Sequence, residues 1–107
     1  MAPPEVVSKE PFPPVPTGML HLPLKREYFE QIRDGKKRFE YRLRTPYWCR
    51  RLEGRFYSGI VLTMGYPAAD DTARRLDLPF RGYELDTITH EHFGPAAVDV
   101  FAIRVWP

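Results

Sequence analysis

The 107-residue chain is 43% hydrophobic and 28% charged, with seven Phe, six Tyr and two Trp, which suits one domain with one core and leaves no room for a second catalytic domain. No apolar stretch nears the roughly 18 residues of a membrane span, the N-terminus lacks basic and apolar leader regions, and the single Cys49 rules out an internal disulfide or a multi-cysteine zinc site. The net charge of +2 hides an asymmetry: residues 25–55 hold eleven Lys and Arg against five Asp and Glu, whereas the remainder holds five against nine.

A basic half beside an acidic half suits a surface that meets phosphates on one side, or charges that neutralise one another once folded. Six of the twelve prolines lie between Met1 and Pro16, where they remove backbone donors and fix φ. Residues 1–18 are therefore read as an extended, Pro-rich flexible arm. The PxxP spacings of Pro11 with Pro14 and Pro13 with Pro16 also fit a protein partner with an aromatic groove.

The folded domain is expected over 19–107. Leu20, Leu22 and Leu24 alternate with His21, Pro23 and Lys25 in the period of a half-buried strand, and Pro23 confines that strand to an edge. From Lys25 to Asp34 the period changes to that of a helix with Tyr28, Phe29 and Ile32 on its apolar side, and Gly35 stands at the αL position after its end. Lys37 to Arg44 alternates again, with Phe39, Tyr41 and Leu43 on one face and Arg38, Glu40, Arg42 and Arg44 on the other, a strand with a charged side. Thr45 and Pro46 then read as N-cap and first residue of a two-turn helix that carries Trp48, Cys49 and Leu52 and stops at Gly54; Cys49 reads as a packing residue.

Phe56 to Tyr66 contains the unbroken apolar run Ile60 to Met64 and predicts a buried strand. Ala68 to Pro79 reads as a twelve-residue binding loop, Gly82 to Thr89 as a strand, His90 to Pro95 as a turn, and Val98 to Trp106 as the last strand. The expected fold is α+β and mainly β: a small closed barrel of five to six strands flanked by two short helices.

Gly35, Lys37, Glu40 and Arg42 form the pattern G-x-K-x-x-E-x-R. On a strand, Glu40 and Arg42 share a face roughly 7 Å apart, and Lys37 at the bend after Gly35 can reach it. An acid bracketed by two cations offers acceptor and donors together, which suits the edge of a base or a phosphate; the same spacing also suits a structural ion pair.

This pattern resembles the signature of the ASCH family of the PUA-like superfamily, and "REYFEQIRDGKKRFEYR" with "PYWCRRL" resembles the helix, motif strand and second helix of such proteins. "GYELDTITHEHFG" and "VFAIRV" resemble their last strands, so the resemblance spans about Leu20 to Val105. It implies a PUA-like barrel and a cleft at Gly35, Lys37, Glu40 and Arg42 that binds RNA or a nucleotide. Some members of the family are amidohydrolases of acetylated cytidine that use a Lys, a nucleophilic Thr and a Glu. The motif places the lysine at Lys37 and a carboxylate, Glu40, where the nucleophile stands, so hydrolysis here would run through Glu40 as general base with Lys37 on the oxyanion.

Arg38, Arg44, Arg74, Arg75 and Arg81 are the candidate phosphate contacts, with Tyr41 and Trp48 read as core. His90 and His92 read as a structural or solvated pair; an alternative joins them to Asp70, Asp71 or Glu91 around a divalent ion for a ribonuclease. The sequence calls for no cofactor and no resident metal, and a cytoplasmic monomer is expected, because Pro23 opposes long pairing of the first strand with a second copy.

Overall fold

The computed structural model describes residues 18–107, and the Pro-rich segment of residues 1–17 lies outside the described residues. In chain order the elements are β1 (Met19–Leu24), α1 (Arg26–Arg33), β2 (Phe39–Leu43), α2 (Pro46–Leu52), β3 (Gly59–Met64), β4 (Arg75–Leu78), β5 (Tyr83–Ile88) and β6 (Val98–Arg104). Short 3-10 turns occupy Thr72–Arg74 and Glu91–Phe93.

The six strands form two three-stranded sheets. In the first, of order β1-β3-β4, β1 runs parallel to β3 and β4 antiparallel to it. The second has order β2-β6-β5 and is antiparallel throughout. The α+β class, the two helices and five of the six strands follow the sequence reading, but the sheets are not closed into the expected barrel.

Apolar alternation explains the core. Leu20, Leu22 and Leu24 of β1, Ile60 and Leu62 of β3 and Phe101 and Ile103 of β6 are buried together with Phe29, Ile32, Leu52 and Val105. Each such side chain contributes about 1.5–3 kcal/mol relative to exposure, so this cluster dominates the stability. Pro23, without an N–H, is tolerated because β1 is an edge strand, paired only with β3. The run Ile60 to Thr63 is buried throughout, as a central strand requires.

The expected helices form, each with one local signal. Gly35 adopts φ +77° just beyond α1, where Lys36 N–H and Lys37 N–H both donate to Gln31 O, closing the helix end and aiming the chain into β2. At α2 the Thr45 side chain accepts from Trp48 N–H, with Pro46 in the first turn.

Three details depart from expectation. Part of the long loop is ordered as β4, whose Leu76 and Leu78 pack against the core opposite β3. In α1 the buried pair is Phe29 and Ile32, while Tyr28 is only half-buried. Tyr41 and Trp48, expected in the core, are half-buried too. Glu40, on the charged side of β2, is 6% exposed, because that side turns toward β1 and α1.

Candidate functional site

Lys37, Glu40 and Arg42 converge. The Glu40 carboxylate takes a hydrogen bond from Arg42 Nη1 on Oε2, and the Lys37 ammonium lies 3.5 Å from Oε1. Strand geometry sets Glu40 and Arg42 two apart on one face, and Gly35 makes the bend that brings Lys37 back over it.

The supporting contacts fix the two cations. Arg42 donates through Nη1 to Tyr41 O at 3.0 Å and through Nη2 to Pro23 O at 3.0 Å, and its guanidinium sits 5.3 Å from the Trp48 ring. Lys37 Nζ donates to Phe39 O and lies 4.6 Å and 5.5 Å from the centres of the Tyr41 and Tyr28 rings. Burial pushes the Lys37 ammonium below the usual lysine range, and Glu40 partly opposes that shift.

One polar atom in this cluster is under-satisfied. Glu40 Oε1 is buried and has no hydrogen-bond partner among the described residues, with only the ammonium at ion-pair distance. A buried carboxylate oxygen in that condition costs free energy until a donor reaches it.

A cavity of about 210 Å³ has Glu40 among its lining residues. Glu40, Arg42 and Lys37 form its charged wall, Tyr28 of α1 and Tyr41 of β2 line it, and His90, His92 and Phe93 cover the opposite side from the Glu91–Phe93 turn. The rings make edge contacts: Tyr28 lies 6.0 Å from His90 and 6.1 Å from His92, and His92 lies 5.1 Å from Phe93. His90 Nδ1 accepts from His92 N–H at 3.0 Å, which leaves Nε2 of a neutral ring as donor. Burial foremost, with nearby carboxylates adding to it, raises the Tyr28 and Tyr41 phenols above the usual range, so both remain protonated.

The remaining sequence-derived candidates scatter over the surface. Arg38 stacks on Trp106 at 4.4 Å, Arg44 lies 5.8 Å from the Phe101 ring, and Arg81 Nε donates to Trp106 O at 3.1 Å. Arg74 pairs with Asp71 at 3.5 Å and Arg75 with Asp77 at 2.9 Å. Not one of these five lines the cavity. Gly35 shapes the bend without lining it, and Cys49 packs half-buried against the core.

Sequence reasoning missed Tyr28, Tyr41, His90, His92 and Phe93 as cavity residues. A usable signal was the clustering of two histidines and a phenylalanine in one Gly-Pro turn, a setting in which rings have no core to enter. Among the described residues no three His, Cys, Asp or Glu side chains gather as a metal donor set, so the arrangement of His90 and His92 with Asp70, Asp71 or Glu91 does not form. Among the same residues no helix is long and apolar enough to cross a membrane. Comparison of the chain with protein-family models, with curated proteins and with solved structures finds no match.

Proposed function

We propose that this cavity binds a nucleobase, and that the protein is an RNA- or nucleotide-binding module of the ASCH type. The observation that carries this reading is a ring-lined cavity with Glu40 in its wall, a carboxylate whose buried Oε1 has only the Lys37 ammonium, at 3.5 Å, near it. A base edge presents an N–H donor next to an acceptor; Glu40 accepts from the first and Lys37 donates to the second. Charge assistance makes both bonds stronger than neutral ones. Tyr28, Tyr41, His90 and Phe93 provide the aromatic surroundings that hold a flat heterocycle.

Volume supports one ring. An apolar cavity of about 150 Å³ accepts benzene, whereas pockets for drug-sized ligands begin near about 300 Å³. At about 210 Å³ the site suits a base whose sugar and phosphate stay outside. On this reading the two sheets are the halves of a PUA-like barrel, and the motif Gly35, Lys37, Glu40 and Arg42 serves the cleft that the family resemblance implies.

Titration of the full chain with adenosine, guanosine, cytidine and uridine, followed by NMR, tests the proposal. At least one nucleoside is expected to shift resonances of Tyr28, Tyr41 and His90, and Glu40→Gln is expected to weaken it about ten-fold, the loss of a charge-assisted bond. Undiminished binding in that variant contradicts the reading.

A second reading rests on Lys37, whose ammonium burial makes less basic. A lysine in that state beside a carboxylate suits hydrolysis of an acylated nucleoside, with Glu40 activating water and Lys37 stabilising the oxyanion. Release of free nucleoside from such a substrate, abolished by Glu40→Gln, distinguishes turnover from binding.

A further inference from the structure

Arg51 stands apart among the arginines of this molecule. It is half-buried on α2, yet its side chain makes no hydrogen bond or ion pair with any described residue, and its Nε is sealed without an acceptor. Most other arginines have an acceptor: Arg33, Arg42, Arg74, Arg75 and Arg104 pair with carboxylates, and Arg55 and Arg81 donate to carbonyls. Arg38 and Arg44, which stack on rings, and Arg26 and Arg50 are exposed to water, so Arg51 differs from them in being half-buried.

Stacking instead of hydrogen bonding holds Arg51 in place. Its guanidinium lies 5.3 Å from the Tyr47 ring and 5.6 Å from the Trp48 ring, and those rings meet edge to face at 5.2 Å. The charge is felt locally: after burial itself, Arg51 and then Arg75 are what depress the basicity of His21. A positioned, uncompensated guanidinium is a site for a phosphate.

The stack is continuous with the cavity. Trp48 also has the Arg42 guanidinium 5.3 Å from its ring and the Arg51 guanidinium 5.6 Å from it, so the two guanidinium groups lie no farther apart than those distances together, and Arg42 lines the cavity wall. Tyr47, at the outer end, is 53% exposed although it is a large aromatic side chain. Exposed aromatics interleaved with cations are how proteins hold single strands, one ring per base and one cation per phosphate.

We propose that the base in the cavity belongs to a single-stranded nucleic acid whose chain crosses α2, with a phosphate on Arg51 and the neighbouring base stacked on Tyr47. The inference rests on the base-binding reading of the cavity and extends it from a free nucleoside to a polynucleotide. The path differs from the surface arginines that sequence alone singles out, because those already have protein partners or stand away from the cavity.

The test uses the full chain with two kinds of probe: the four single nucleosides, and labelled mixed-sequence octamers of RNA and of DNA. Tyr47→Ala, an exposed position, and Arg51→Gln are compared with wild type, thermal melting confirming that each folds. Both variants are expected to weaken binding of at least one octamer about five-fold or more while leaving nucleoside affinity unchanged. Arg51→Gln is further expected to lower the slope of log K against log salt by about 0.7, one single-strand phosphate contact, and Tyr47→Ala to leave it unaltered.

Octamer affinity and salt slope equal to wild type in both variants, with nucleosides still bound, overturn the strand path and leave the cavity reading intact. Octamer binding that needs Arg51 and Tyr47 while no nucleoside binds overturns the cavity reading and keeps only a strand on α2. The ribose and deoxyribose octamers show which sugar the path accepts. Failure of wild type to bind either octamer overturns the proposal outright.

Discussion

His21 couples the first sheet to pH. Its ring is 5% exposed on β1, and Nε2 lies 2.8 Å from Thr63 Oγ1, which in turn donates to Gly65 O at 2.7 Å. The Thr63 hydroxyl proton is thereby committed, so the imidazole Nε2–H is the donor to it. Burial foremost, then Arg51 and Arg75, lower the His21 pKa from 6.5 to about 4. Between those values the unfolded chain binds a proton that the folded chain refuses, so the contribution is complete above pH 6.5 and is lost as pH falls toward 4. At about 1.36 kcal/mol per pH unit the whole span amounts to at most about 3.4 kcal/mol, less to the extent that water reaches the ring. The perturbation is His21→Leu, which keeps an apolar-compatible side chain at a buried strand position and leaves Thr63 its acceptor Gly65 O. Urea unfolding of wild type and variant at pH 7, 6, 5 and 4 measures the difference. Wild type should lose stability relative to His21→Leu as the pH falls, with most of the loss between pH 6.5 and 4; parallel curves at every pH would refute the reasoning.

Two further substitutions probe the local devices that set the fold. Thr45→Ala removes the acceptor for Trp48 N–H at the start of α2 and should cost about 1 kcal/mol in urea unfolding, with Thr45→Ser recovering most of it. Gly59→Ala would place a methyl group 2.9 Å from Met19 Cε and 3.1 Å from Leu78 O, where β1, β3 and β4 meet. The methionine can turn aside but the carbonyl cannot, so a loss of about 1–2 kcal/mol is expected by thermal or chemical unfolding.

Much of the fold was legible because hydrophobic period and terminal signals agreed. The Leu20, Leu22, Leu24 alternation, Thr45 with Pro46, and Gly35 at φ +77° each specify their element locally. β4 was hidden because its four residues include Arg75 and Asp77, which outweigh the alternating Leu76 and Leu78 in a short window. Sheet closure was illegible, since pairing between strands far apart in sequence depends on packing rather than period.

The site was half legible for the same reason. Spacing along β2 joins Glu40 to Arg42, and the Gly35 bend adds Lys37, but which face of β2 is covered depends on α1 and β1. Alternation alone therefore puts Glu40 on the charged side of β2 without saying what covers it. The aromatic wall comes from His90, His92 and Phe93, fifty residues or so along the chain, and only the folded topology brings that turn opposite Tyr28.

A structure of the full chain with the tightest-binding nucleoside bears most directly on the central claim. The base is expected inside the cavity of Tyr28, Tyr41 and His90, with one of its N–H groups within hydrogen-bond distance of Glu40 Oε1 and the sugar directed toward Trp48. A base bound elsewhere on the surface, or one in the cavity that leaves Glu40 Oε1 without a donor, would contradict the account.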